Sequence, residues 1–351
     1  MHVHAPRRWL NGGVPAALAA ALLFGAGTPA AKWLLGSVGP WLLAGLFYIG
    51  SGLGLTLYRW LVNAPRVRLA PAEWGWLLGA IASGGVIGPV LLMVGLSGMP
   101  ASGASLLLNA EGVFTAVLAW FAFRENCDRR IASGMLSIAA GAIVLSWPDD
   151  AHFSGVWSAL SVVGACFAWG IDNNLTRKVA LSDATWIAAV KGLVAGGVNL
   201  ALADLVGDRL PGLGTVGAAM GLGFLAYGVS LACFVVALRD LGTSRTGAYF
   251  SVAPFFGSVL ALFGGEPVSA KLCAAGGLMA FGVWLHLTEN HAHGHDHEAM
   301  EHAHSHVHDE HHQHPHADGL AFNGRHAHPH RHAPMRHNHP HYPDAHHRHS
   351  H

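Results

Sequence analysis

Ten apolar runs, each close to twenty residues long, dominate the chain: 14–35, 40–62, 74–96, 101–122, 131–147, 155–177, 184–205, 214–238, 246–264 and 270–288. About twenty residues of helix cross a hydrocarbon core of roughly 30 Å. Inside that core every backbone polar group needs an internal partner, which leaves helices or a closed barrel as the options. Continuous apolar runs, without strand-like alternation, select helices. Composition agrees: 52% of residues are hydrophobic, 11% are charged and 45 are glycine. The predicted fold class is therefore an all-α integral membrane protein with ten transmembrane helices. The first run is long and lacks a small-residue cleavage pattern, so it is expected to be a retained helix behind a short N-terminal segment, 1–13.

Basic residues set the expected orientation. With the N-terminus in the cytoplasm, Arg7, Arg8, Arg59, Arg66, Arg68, Arg124, Arg129, Arg130, Arg177, Lys178, Arg239 and Arg245 fall on the inner side, and only Arg209 and Lys271 on the outer. Ten crossings then return the C-terminus to the cytoplasm, and the expected location is the inner (plasma) membrane. Cys127, Cys166, Cys233 and Cys273 have no paired spacing, so neither a disulfide framework nor a zinc site is expected. Nucleotide loops, nucleophile motifs and ordered metal-ligand spacings are missing from the sequence, so no enzymatic activity, no required cofactor and no nucleic-acid partner are expected.

The chain repeats itself. FRENCDRRIASGMLSIAAGAIVL (123–145) parallels GGEPVSAKLCAAGGLMAFGVWL (264–285), with Glu125 and Glu266 each sixteen residues before a glycine, Gly141 and Gly282. LLFGAGTPAAK (22–32) likewise matches CFAWGIDNNLTR (166–177), Gly25 and Gly170 each standing seven residues before a basic side chain. Five spans per copy is an odd number, so the second copy, 154–288, lies inverted relative to the first, 14–147. Inverted repeats are a common architecture of secondary transporters, with the substrate site near the midplane. These halves, each closing on a Glu and a small-residue final helix, resemble the EamA-type transporters of the drug/metabolite transporter superfamily. The resemblance covers about 14–288. It implies ten helices, cytoplasmic termini, a central cavity and transport of small organic molecules, often outward and often driven by protons or exchange. One departure stands out: Pro254 lies in the ninth span, whereas the first half has NAEG (109–112) at the matching place, so a simple symmetric site is not expected.

Charges inside the spans are the candidate functional groups, because a buried charge normally faces a cavity or a partner. The sixth span is too short if it ends at Trp169, so GIDNNLTRK (170–178) begins inside the membrane and places Asp172 there. Lys191 lies equally far from the short turn at Leu181–Ser182, so the two are expected at similar depth in one hairpin. They either lock that hairpin or line the cavity and take part in transport. Glu111 is placed roughly 16 Å along the fourth span from Pro100. Desolvation disfavours the charged form of such a carboxyl, which suits a proton-coupling group. The competing reading has Lys191 or Asn199 satisfying it permanently. Asn109, Asn173, Asn174 and Asn199 can offer donors and acceptors to a polar cargo or bridge helices as plain glue. Lys32 is expected to snorkel outward. Pro29, Pro89 and Pro254 are each expected to remove one helical hydrogen bond. Trp74, Trp76, Trp147 and Trp157 read as an interfacial belt.

The remainder, 289–351, has a different composition. Of 27 histidines, all but His2, His4, His152 and His286 lie here. With so little apolar content this tail is expected to be disordered and cytoplasmic. Its H-x-H spacing sets His291, His293, His295, His297, His302, His304, His306, His308, His311, His312, His314 and His316 as candidate ligands for a divalent ion, Zn, Ni, Co or Cu. The alternative is a pH-sensitive polar appendage.

The leading functional reading is a secondary-active exporter or permease of a small polar metabolite, such as an amino acid or a related compound, with the tail as a metal-responsive accessory. Its expected partners are the bilayer, the substrate, a coupling proton and a second copy in a homodimer. Alternatives are transport of a divalent ion or a metal-chelating metabolite, and third, a membrane metal buffer or sensor.

Overall fold

The computed structural model describes residues 13–67, 69–123, 129–147, 156–179, 183–241 and 249–288, and in the tail residues 292–297, 300–306, 326–332 and 335–340. It separates into two units, Met1–Glu289 and Asn290–His351.

The first unit is helical throughout. Its described segments are α1 (Gly13–Leu34), α2 (Pro40–Leu61), α3 (Glu73–Ala80), α4 (Gly88–Ser97), α5 (Ala101–Leu107), α6 (Ala110–Phe123), α7 (Arg129–Ser146), α8 (Val156–Thr176), α9 (Ala184–Leu205), α10 (Leu213–Gly223), α11 (Ser230–Leu241), α12 (Ala253–Phe263) and α13 (Ala270–Leu287). Together they form the ten spans as two inverted five-helix repeats, with spans three, four and eight each built from two segments. Among the described residues, six stretches are individually long and apolar enough to cross a membrane, Glu73–Ser97 and Leu213–Phe234 being two of them.

Close approach between helices is bought with missing side chains. A Cβ on Gly52 of α2 would lie 2.5 Å from Leu193 N of α9, and one on Gly192 would lie 2.6 Å from Gly52 Cα. The tryptophans expected at the interfaces, Trp74, Trp76, Trp147 and Trp157, are all exposed.

Four interruptions inside spans matter for function. A π-helical stretch, Ile81–Ile87, separates α3 from α4, and its counterpart, Phe224–Val229, separates α10 from α11. The fourth span breaks at Leu108–Asn109 before α6, and a turn at Ser251–Val252 precedes α12. The same interval separates Ile81 from Phe224 and Ala110 from Ala253, so the interruptions obey the repeat. π-Segments are frequent at functional sites, and broken helices are how many transporters build midplane sites.

The interruptions also correct the reading of the prolines. Pro29 lies inside α1, but Pro89 and Pro254 sit in the first turns of α4 and α12. Pro89 follows the π-segment without a break, and the carbonyl four residues before it, Gly85, accepts from Asn199 instead. Pro254 follows the turn at Ser251–Val252, where a first-turn N–H has no partner within its own helix, so proline there is preorganised. The departure between Pro254 and NAEG has the same explanation. Glu111 also falls in the first turn of its half-helix, where a carboxylate is favoured by the helix dipole.

The tail unit differs from the expectation of a segment without regular structure. Four strands are described: β1 (Ala292–His297), β2 (Met300–His306), β3 (His326–His332) and β4 (Met335–Pro340). β1 pairs antiparallel with β4, and β2 with β3. The alternating H-x-H pattern that suggested ligands has the period of a strand, which allows this pairing. His291, His308, His311, His312, His314 and His316 lie outside the described residues, as do Glu125 and Cys127.

Candidate transport site

The site is organised by three consecutive residues of α8. Successive residues of a helix point about 100° apart, so Asp172, Asn173 and Asn174 serve different neighbours. The helix continues to Thr176 and closes with a 3-10 turn, Arg177–Val179.

Asp172 is buried and meets Lys191 of α9, whose Nζ lies 2.6 Å from Oδ1 and 2.7 Å from Oδ2. The Thr176 hydroxyl donates to Asp172 Oδ1 at 2.8 Å. On its other side the carboxylate rests on the π-segment of span three, where a Cβ on Gly84 would overlap Asp172. Glycine is required there by close contact rather than by backbone angle. The Gly84 carbonyl accepts from Tyr48 Oη at 2.7 Å and Trp169 Nε1 at 2.9 Å, and the Gly85 carbonyl from Asn199 Nδ2 at 3.0 Å. Side chains from three other spans therefore satisfy the backbone acceptors of this stretch.

Asn173 turns to the broken fourth span. Its Nδ2 donates to Glu111 Oε1 at 2.9 Å and to Thr115 Oγ1 at 3.1 Å. Asn174 Nδ2 donates to the Thr115 carbonyl at 3.1 Å and, within its own helix, to the Gly170 carbonyl at 2.8 Å. α8 thus clamps the first turns of α6 while its preceding residue holds the ion pair with α9. Asn173 is exposed and Glu111 only part-buried, so this end of the cluster is reachable from outside the packed core.

Glu111 has neither partner suggested by the sequence: Lys191 is engaged by Asp172, and Asn199 by the π-segment. Lys191 pairs with Asp172, and Arg59 with Asp183. The cluster therefore holds two carboxylates and one ammonium. Aromatic rings surround it. Tyr227, in the π-segment of span eight, packs against Phe24, Phe47 and Tyr48 with centroids 6.0, 5.7 and 5.4 Å away. Phe24 also meets Trp169 edge-on at 6.4 Å.

Two proposed site residues sit elsewhere. Asn109 is buried and donates to the Leu106 carbonyl at 2.9 Å, bridging the break in span four. Asn199 is wholly buried at the π-segment, and its Oδ1 has no partner among the described residues. Lys32 does more than snorkel: its Nζ lies 2.5 Å from the Leu96 carbonyl and 3.3 Å from that of Ser97, neutralising the end of α4. Sequence reasoning missed Tyr48, Trp169, Tyr227 and Thr115. The available signals were the aromatic residues placed mid-span, away from the belt, and the adjacent glycines of SGGV (83–86).

Two acidic groups outside the spans hold the frame. Glu266 reaches from the second repeat to the first, accepting from Ala101 N at 2.7 Å and Ser102 N at 2.8 Å at the start of α5. Gly265, at φ 98°, makes the turn that aims it. Asp183 caps α9 and pairs with Arg59 at 2.8 Å. Desolvation pushes its carboxyl up, but hydrogen bonds from Thr185, Arg59 and the Trp186 N–H outweigh this and hold it below the usual aspartate range.

The EamA-like transporter family model matches residues 11–147 and 156–288. The chain belongs to this family. Its two matched segments are the two five-helix repeats. An uncharacterized transporter of Methanothermobacter thermautotrophicus is 29% identical over 290 residues, covering 76% of this chain and 84% of the relative. A probable amino-acid metabolite efflux pump of Salmonella typhimurium is 34% identical over 86 residues, 23% of this chain and 28% of the pump. One solved crystal structure superposes with a TM-score of 0.60 at 18% identity, covering 78% of this chain and 98% of that one, a likeness of fold. This EamA-like chain is thus a multi-pass membrane transporter whose partners are the bilayer and a small molecule.

Proposed function

We propose that this transporter moves a small polar metabolite, an amino acid or a related amine, by secondary active transport, and that Glu111 is its coupling group. The observation that carries the reading is the charge imbalance of the cluster: Asp172 is matched by Lys191, whereas Glu111 is held by the uncharged Asn173. A carboxylate set in low dielectric without a cation gains most from a proton or from the ammonium of a cargo. Those two ligands compete for the same oxygens, which is the basis of proton–amine exchange. The name of the Salmonella typhimurium relative supports an amino-acid-like cargo and outward transport. The count of basic residues supports cytoplasmic termini in the inner membrane, and a homodimer is the proposed assembly.

The tail is proposed to bind divalent metal ions and to make transport responsive to them. A metal ion or a metal chelate as the cargo itself rests on the histidines of the tail.

The test is counterflow of amines and amino acids into proteoliposomes under an imposed pH gradient, after metabolite profiling of overexpressing cells has chosen the candidates. Wild-type protein should respond to the gradient, and Glu111→Gln should not. An unaltered pH response in Glu111→Gln would remove the coupling role. Truncation after Thr288 should leave basal flux intact and erase the response to added zinc or nickel. Loss of metal flux itself in the truncated protein would instead favour the metal-cargo reading.

A further inference from the structure

The two strand pairs of the tail share one register: in every pair of both ladders the residue numbers add to the same total. That common register has a chemical pattern. His293 stands opposite His339 and His295 opposite His337 in the first ladder. His302 stands opposite His330, His304 opposite His328 and His306 opposite His326 in the second. The charged residues are matched as well, Asp296 opposite Arg336 and Glu301 opposite Arg331.

The sequence carries an independent mark of the same pairing. Histidines occupy odd positions from 291 to 297 and even positions from 302 to 308. On the other side they occupy even positions from 326 to 332 and odd positions from 337 to 341. The change of phase in one half is mirrored at the register-related place in the other. A shift of one residue would set histidine opposite Arg, Asn, Ala or Pro along both ladders. In a strand, alternate residues share a face, so within each ladder the histidine pairs lie on one face and the acid–base pair on the other.

We propose that these cross-strand histidine pairs are the metal sites of the tail, each pair holding one divalent ion of the zinc, nickel or copper type. The proposal rests on the reading of the tail as a metal binder and adds its ligand pairing. Directly opposed residues of an antiparallel pair have Cβ atoms about 4.5–5.5 Å apart, a separation that two imidazoles can bridge through one ion at metal–nitrogen distances of about 2.0–2.1 Å. Imidazole is a good donor to all three ions and discriminates poorly among them. Each ion would link a strand near residue 300 to one near residue 330, so metal binding closes the intervening chain. Binding weakens as pH falls below about 6.5, where imidazole protonates.

The test is a zinc titration of the full-length protein in detergent, counting ions bound by calorimetry, with the protein truncated after Thr288 as the baseline. His304→Ala and His328→Ala should each remove one zinc from the tail, and the double variant should remove no more than either single. His304→Ala combined with His337→Ala, which strikes two different pairs, should remove two. If the His304/His328 double variant loses as much as the mismatched one, the register is wrong although the tail still binds metal. If the full chain binds no more zinc than the truncated protein, the metal-binding reading of the tail fails, and the pairing with it.

Discussion

α6 and α12 are the same element in two copies. Both start in mid-span behind a turn, both sit one interruption after a π-segment, and both open with Ala and a residue suited to a first turn. In α6 that residue is Glu111, and in α12 it is Pro254. Either satisfies the backbone, but only the first offers a titrating oxygen. The ion pair shows the same asymmetry in reverse: Asp172 and Lys191 belong to the second repeat, while the matching stretches of the first, residues 27–29 and 46–48, carry no charge. Duplication therefore supplies the broken helices and π-segments, and divergence has placed a different charge in each half, so that α8 brings the two together.

The largest effect is expected at Glu111. Glu111→Gln should leave the protein folded and abolish pH-driven flux, because the amide keeps the Asn173 contact in shape and loses titration; flux in liposomes at matched expression is the measurement. Next come the partners of the buried pair. Asp172→Asn or Lys191→Met leaves an uncompensated charge or an orphaned donor, at a cost of about 3–5 kcal/mol in buried sites. Thermal unfolding in detergent should show the double variant to be milder than the sum, and strict additivity would mean the groups do not cooperate. Glu266→Ala removes the acceptor from two N–H groups across the repeats and should cost about 1–2 kcal/mol by the same assay.

Pro254→Ala probes the half-helix that carries no titrating group. If Pro254 is only a helix starter, the variant should keep its flux and move stability by no more than about 1 kcal/mol. Loss of flux would give the second half-helix a role in transport of its own. The smallest effect concerns Asp183, whose carboxyl is held low in the folded protein. A lowered folded value means that its stabilisation is present above the unfolded aspartate value of about 3.9 and lost as pH falls through the folded one. The stability gap between wild type and Asp183→Asn should therefore be constant from neutral pH down to about 4 and close below it.

The spans were legible because lipid leaves the backbone so few options: α9 runs over the 184–205 expected for it, and α1, α2 and α13 fall within a residue of their expected ends. The contact between Asp172 and Lys191 was legible too, since equal distance from a tight turn means equal depth. The partner of Glu111 was not. It depends on the rotation of α8 about its axis, which decides whether Asp172 or Asn173 faces α6, and three consecutive polar residues leave that rotation open. Asn109 and Asn199 were candidates for the same reason that any mid-span amide is. What separates them from Asn173 is the presence of freed backbone carbonyls, at the break in span four and at Gly85, and hydropathy does not register a π-segment. The role of Glu266 was equally hidden, for its two N–H partners stand 165 and 164 residues away.

That last separation has a consequence for how the protein is made. Chains grow at about 5–20 residues per second, so the start of α5 waits on the order of ten to thirty seconds after synthesis before Glu266 has even been translated. Throughout that interval the first repeat lacks the carboxylate that accepts from Ala101 N and Ser102 N in the folded protein. Arrival of Glu266 is thus a late closing event of biogenesis, and protease access to the segment around Pro100 should be greater in full-length Glu266→Ala than in the wild-type chain.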